Sequence, residues 1–405
     1  MKVTYLHQYF NTPEMHGGTR SFEIARRMVA AGHEVHMVTS DQKRTGSPYQ
    51  TNEAGIKVIW IPIAYSNKMN VKSRIRAFVA FALASGRISA EIDSDVVFAT
   101  STPLTIAFSG IYASKRRKIP MVFEVRDLWP EMPIAMGILK DPISKFLAGR
   151  LERFAYRNSE QIIALSPGIR DGIALQGYPE SKISVIPNAC DLDMFDVDES
   201  MGKAFRANLH WLSDRPLVVY AGTIGKVNGV SYMVDLALQT RDLDPEIRFL
   251  VVGDGNEEPE VRAYAERLGV LNNTFFMLPS MEKARIPQVL SAADMALSMF
   301  MDIPEMQANS ANKFFDALAS GTPVAINYGG WQAEMIRDHE IGLILNHRDL
   351  SAAAKSLVEM LHDNSRMIRS AKAAHELAST SFNRDNLTVQ LLQLLEDVKS
   401  QRGQS

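Results

Sequence analysis

The sequence predicts an α/β protein built from two doubly wound domains in tandem. Short, continuous Val/Ile-rich runs alternate with amphipathic segments of helical period, the pattern of parallel strands covered on both faces by helices. The alternation breaks once, over Ala189–Pro216, and then restarts. At 405 residues the chain also exceeds what one hydrophobic core usually serves.

The first half opens with a strand over Lys2–Phe10. A helix over Gly18–Gly32 follows, with Phe22, Ala25, Met28 and Val29 on one face and Gly32 as its stop. Strands are expected at His33–Ser40, Ile56–Ile63, Asp95–Ser101, Pro120–Asp127, Glu160–Ser166 and Lys182–Asn188. The segment after them is polar, acidic and weakly periodic, and reads as a linker. The pattern then resumes with a strand over Pro216–Ile224, a helix over Asn228–Arg241, and strands at Ile247–Gly255, Asn273–Pro279, Met295–Phe300 and Pro323–Asn327. The last sixty residues read as helical. The expected division is 1–190 for the first domain, 191–215 for the linker, 216–382 for the second domain and 383–405 for a terminal helix.

A 46% hydrophobic and 22% charged composition is that of an ordinary globular protein. The single cysteine, Cys190, excludes an internal disulfide and suits a reducing compartment. No signal peptide is read at the start. The apolar stretch Ala77–Gly86 is about half the length that spans a bilayer. The net charge of −2 conceals an asymmetry: residues 1–190 hold 24 Lys and Arg against 16 Asp and Glu, the remainder 20 against 30. The basic clusters Lys72–Arg76 and Lys115–Lys118 lie in the first half and lack the aromatic interleaving of a nucleic-acid module. They suit an anionic lipid surface or a diphosphate-bearing partner, or simply a solvated helix face.

In open α/β sheets ligands bind beyond the carboxyl ends of strands, and four stretches fall there. In "MHGGTR" (Met15–Arg20), Gly17 and Gly18 open a helix, as in a phosphate-binding loop or a plain turn. "AGTIGKVNG" (Ala221–Gly229) occupies the equivalent place in the second domain. "EVRDLWPE" (Glu124–Glu131) puts Arg126 and Asp127 at a strand end before a turn. In "SANKFFDALASGTPVAI" (Ser310–Ile326), Lys313 lies in the first turn of a helix, where the macrodipole favours anions. Asp316 follows at i+3. The pair is either a solvated ion pair or part of an anion site. No HExxH, CxxC or Gly-x-Ser-x-Gly occurs, so no metal or cofactor is expected. "DLD" (Asp191–Asp193) and "DVD" (Asp196–Asp198) read as solvated acids.

With these stretches in order, the chain resembles the retaining glycosyltransferases of family 4. More narrowly it is similar to the bacterial branch that builds O-antigen and capsule repeats, including N-acetyl-L-fucosamine transferases. "GGTRSFEIARRMVAAGHEVHMVT", "EVRDLWPE", "IPNACDLDMF", "YAGTIGKVNG" and "NKFFDALASGTPV" carry the resemblance over essentially the full length. It implies a GT-B fold, with two Rossmann-like domains facing across a cleft. It also implies metal-independent transfer from a nucleotide-diphosphate sugar, with a UDP-sugar favoured. Gly17, Gly18, Thr223, Lys226, Asn312, Lys313 and Asp316 would bind the donor, Asp316 at the ribose. Asp127 would orient or deprotonate the acceptor hydroxyl, beside Arg126.

The sequence departs from the broad family at four places. Thr223 and Asn228 replace an arginine and a lysine, Ala308 replaces a glutamate, and Ser101 or Thr102 stands where many members have histidine. Lys313 with Lys226 would supply the missing cations, and Glu305 is the substitute considered for the glutamate. The branch implies a saccharide acceptor on a polyprenyl diphosphate. It also implies peripheral attachment at the cytoplasmic face of the inner membrane through Val71–Ala90. Rival readings are a UDP-N-acetylhexosamine 2-epimerase and a catalytically silent sugar-nucleotide-binding partner. A dehydrogenase lacks its glycine fingerprint.

Overall fold

The structure, a computed structural model, describes residues 1–66, 69–101 and 103–402. The chain forms two compact units. One comprises 1–12, 19–187 and 385–405, the other 13–18 and 188–384.

The first unit carries β1 (Lys2–Leu6), β2 (Glu34–Asp41), β3 (Tyr49–Glu53), β4 (Ile56–Pro62), β5 (Val96–Thr100), β6 (Met121–Val125), β7 (Gln161–Ala164) and β8 (Ile183–Val185). They form one sheet in the order β3-β4-β2-β1-β5-β6-β7-β8. Every pairing is parallel except β3 with β4. The central strands β5 and β6 are buried along their whole length, which is why they read as unbroken apolar runs. β3, "YQTNE", is a half-exposed edge strand with polar residues, and its composition gives no apolar run to read. The first strand is shorter than expected because residues 7–10 leave the ladder as a buried loop, tied to β2 by Ser40 N–H donating to Gln8 O.

The second unit carries β9 (Leu217–Ala221), β10 (Arg248–Val252), β11 (Phe275–Leu278), β12 (Met295–Ser298), β13 (Val324–Ile326) and β14 (Gly342–Ile344). All pairings are parallel, in the order β11-β10-β9-β12-β13-β14. The order reverses between β9 and β12, a topological switch point at whose carboxyl side ligands bind. The core below it is formed by Val218, Tyr220, Phe249, Val251, Phe275 and Leu297 among others. Gly321 stops the helix Asn312–Ala319 with φ +62°, a left-handed position that glycine takes without strain.

Residues 191–215 hold the helices Leu192–Phe195 and Glu199–Ala207 and belong to the second unit. Arg206 ion-pairs with Asp294 at 2.7 Å. Gly202 lies so close to Ser291 that a β-carbon would meet the Ser291 carbonyl oxygen at 2.4 Å. Asp191 is not solvated as expected: it is 2% exposed and ion-paired with Arg384 at 2.5 Å. The residues after Arg384 run within the terminal helix Arg384–Arg402 and belong to the first unit, where Lys399 pairs with Asp95 at 3.1 Å.

Candidate functional site

A cavity of about 330 Å³ opens in the second unit at the carboxyl ends of β9, β10 and β11. Of the expected donor residues it gathers Gly17, Gly18, Thr223, Asn312, Lys313 and Asp316. Lys226 is exposed on a 3-10 turn and is absent from the lining, as is Glu305.

The floor is backbone. Gly222 N–H donates to Val252 O at 3.0 Å and Ile224 N–H to Asp254 O at 2.7 Å, so the loops after β9 and β10 are zipped together. A β-carbon at Gly253 would lie 1.9 Å from the Gly222 carbonyl oxygen. One wall comes from residues 13–18. Met15 O accepts from Lys283 N–H at 3.4 Å, and a β-carbon on Gly18 would approach Asn312 Nδ2 to 3.2 Å. His16 Nδ1 meets Ser280 Oγ at 3.0 Å, and Ser280 Oγ donates to Asp254 Oδ2 at 2.6 Å.

The amino end of the helix Asn312–Ala319 faces this space, and its N-cap, Ala311, supplies no side-chain acceptor. Lys313 is partly buried there, and its Nζ donates to Asn228 Oδ1 at 3.1 Å. It also lies 5.2 Å from the Tyr220 ring centroid and 4.8 Å from that of Phe300. Among the described residues no carboxylate forms an ion pair with it. Desolvation pulls the Lys313 ammonium down to about 8, opposed only by the Coulomb field of Asp316. A cation held by an amide and two ring faces, with no counter-ion, is a site for an anion.

Asp316 has a different partner from the i+3 lysine. Its Oδ2 accepts from Lys283 Nζ at 2.6 Å, with side-chain exposures of 9% for Lys283 and 14% for Asp316. Burial raises the Asp316 carboxyl above its ordinary range, while the Lys283 ammonium opposes this. Lys283 is a pocket residue that sequence reasoning missed, as are His16, Asp254 and Ser280. The signal for Lys283 was its place just beyond the carboxyl end of β11.

In the first unit a polar cluster lies at the carboxyl ends of β1, β5 and β6. Glu124 is fully buried and takes Arg20 at 2.7 Å and Thr100 Oγ1 at 2.6 Å. Arg126 Nη1 reaches His7 Nε2 at 3.2 Å, and its backbone N–H donates to Ser101 Oγ at 2.9 Å. Burial, with Arg126 and Arg20 nearby, holds His7 well below its ordinary range and therefore neutral. Arg126 and Asp127 are thus adjacent at one strand end, Asp127 exposed. Thr102 lies outside the described residues.

Comparison with known proteins decides the family. Residues 17–189 match the glycosyl transferase 4-like domain and residues 203–377 the glycosyl transferases group 1 domain. The chain belongs to the group 1 glycosyltransferases. The lipopolysaccharide core biosynthesis glycosyltransferase LpsE of Rhizobium meliloti (strain 1021) is 26% identical over 240 residues, 59% of this chain and 65% of that one. Across several such relatives the matched region spans 57 to 65% of their length. Among solved structures, sucrose-phosphate synthase from Thermosynechococcus elongatus superposes with TM-score 0.78 at 16% identity, over 98% of this chain and 99% of that one. Anabaena Alr3699/HepE in complex with UDP superposes with TM-score 0.72 at 17% identity, over 98% and 100%. This glycosyltransferase therefore has the GT-B fold.

Proposed function

We propose that this glycosyltransferase moves a sugar from a UDP-sugar, with retention, onto a polyprenyl-diphosphate-linked saccharide in surface polysaccharide synthesis. The sugar is an N-acetylated hexosamine or deoxyhexosamine. The observation that carries the reading is Lys313, a desolvated cation without a carboxylate partner, at an uncapped helix terminus in the cavity. The sugar C1–oxygen bond to the diphosphate breaks and UDP leaves with the electron pair. Lys313, the helix amino end and the Gly17–Gly18 backbone meet its charge without a metal. The acceptor hydroxyl oxygen forms the new bond to C1, and its proton passes to Asp127, with Arg126 held by His7 as the neighbouring cation. Asp316 takes the ribose hydroxyls, and Lys283 orients its carboxylate.

A second observation supports a lipid-linked acceptor and contact with the inner membrane's cytoplasmic face. The helices Val71–Glu91, Ile106–Arg117 and Pro142–Arg157 leave Ile75, Leu83, Phe108, Tyr112, Phe146 and Leu147 between 47 and 60% exposed. The middle helix touches both of the others. Gly86 packs against Ser109, and the Phe108 and Phe154 rings lie 6.0 Å apart. Lys72, Arg76, Lys115, Arg116 and Arg150 lie on the same helices, all exposed. An apolar face with a cationic fringe fits an anionic bilayer surface. Among the described residues no helix is long and apolar enough to cross a membrane.

The test is incubation with UDP-N-acetylhexosamines, with and without a lipid-diphosphate saccharide, in the presence of a chelator. The expected result is acceptor-dependent UDP release with one sugar added to the lipid product. Conversion of the donor without acceptor would replace this reading with an epimerase. No turnover with any donor would favour a silent binding partner.

A further inference from the structure

The second unit has another concavity, at the opposite end of its sheet. A groove of about 430 Å³ opens at β14, lined among others by Ile336, Arg337, Glu340, Leu343, Arg366 and Arg369. We propose that it is a second anion site, for a phosphorylated or oligophosphate small molecule, independent of the sugar-nucleotide pocket.

The argument starts from charge. Residues 191–405 carry 20 Lys and Arg against 30 Asp and Glu, yet three arginines line this groove. Arg366 and Arg369 stand at i, i+3 on one face of the helix Asn364–Thr380. Arg337 comes from the last turn of the helix Trp331–His339. Among the described residues none of the three side chains forms an ion pair or a hydrogen bond, while the Arg366 backbone N–H donates to Asp363 Oδ1 at 2.9 Å. The carboxylate in the lining, Glu340, leaves an excess of two positive charges. Like charges brought together without counter-ions repel, and an oligoanion removes the repulsion. Planar guanidinium forks also match phosphate oxygens in pairs.

The groove is built on fixed elements. Glu340 is held at φ +53°, and its carbonyl accepts from Ser370 Oγ at 2.6 Å. Its floor is the edge strand β14, with Leu343 and Ile336 giving an apolar base. The volume suits a small molecule. The sheet is parallel, and the sugar-nucleotide pocket lies at strand carboxyl ends. The groove, by contrast, lies between the end of the helix before β14 and the start of a later helix, at the amino side of the strand. A ligand here therefore does not compete with the donor.

The test is calorimetric titration of the full chain with inorganic tripolyphosphate in the absence of divalent cations. Wild type, Arg366→Ala/Arg369→Ala and Lys313→Ala are compared. The expected result is a site whose affinity falls at least tenfold in the double arginine variant and persists in Lys313→Ala, since each charge-assisted contact is worth about a factor of ten. The Arg366→Gln/Arg369→Gln pair should behave alike, with the wild-type melting temperature. Unchanged affinity in both arginine pairs, loss of all binding in Lys313→Ala, or no heat with wild type would overturn the proposal. Failure of the donor assignment would appear separately, as UDP binding unaffected by Lys313→Ala.

Discussion

Lys283 Nζ and Asp316 Oδ2 meet at 2.6 Å across 33 residues of sequence, and both line the cavity of the second unit. The lysine also lies 4.7 Å from the Phe195 ring centroid. The carboxylate at the expected ribose position is thereby held through one oxygen.

Removing one member of this largely buried pair strands the other. Lys283→Ala is expected to lower stability by about 2–4 kcal/mol. Lys283→Met combined with Asp316→Leu should lose less than either single change. Denaturant unfolding of Lys283→Met, Asp316→Leu and the double variant reads this directly; additive losses would mean the two side chains are not coupled.

The loop zipper under the pocket leaves no room for a side chain at Gly253. Gly253→Ala is expected to cost about 1–3 kcal/mol, because the Gly222 backbone must move. It should also weaken nucleotide binding through the shifted Gly222–Thr223 segment. A variant of wild-type stability that binds nucleotide normally would show that the two loops are slack.

In the first unit Glu152 is 1% exposed, and burial followed by the nearby Glu131 charge pushes its carboxyl up to about 8. The folded state therefore holds a proton that the unfolded chain releases near its ordinary value. The stability this contributes is full below pH 4.5 and is lost as pH rises through about 8. The slope is about 1.4 kcal/mol per pH unit over that window. Glu152→Gln is expected to flatten the slope and to exceed wild type in stability above pH 8. Melting curves from pH 5 to 9 check it; parallel curves for both proteins would contradict it.

The three-helix face predicts lipid binding. Phe146→Glu/Leu147→Glu should reduce sedimentation with anionic vesicles at least tenfold, since two exposed apolar side chains lose about 1.5–3 kcal/mol each of burial in the interface. Added salt should weaken wild-type binding. Equal binding to neutral and anionic vesicles would remove the role of the cations.

The sequence made some of this legible and hid the rest for physical reasons. Lys313 and Asp316 were readable because a helix start, its glycine stop and the following strand are contiguous, so local pattern places both residues. Lys283 was not, because it lies in the crossover between β11 and β12 while its partner Asp316 comes from the helix after β12. Lys226 looked equivalent to Lys313 in composition, yet it projects from an exposed turn. β3 and β14 went unread because one is polar and the other is three residues long. Residues 191–215 read as a linker from their acidity; their buried groups, Asp191 and Phe205, are satisfied only by distant partners. The hydrophobic periods of helices 106–117 and 142–157 were present, but whether an apolar stripe faces a core or solvent depends on tertiary packing.

The most direct test of the central claim is calorimetric binding of UDP, without metal, to wild type and Lys313→Ala from pH 6.5 to 9.5. The Lys313 ammonium, near 8 in the free protein, must be protonated to hold the diphosphate. Affinity should therefore be full below pH 8 and fall roughly tenfold per unit above it. In Lys313→Ala it should be about tenfold to a thousandfold weaker and independent of pH across that range. UDP binding of wild-type strength and the same pH dependence in Lys313→Ala would contradict the assignment of this pocket.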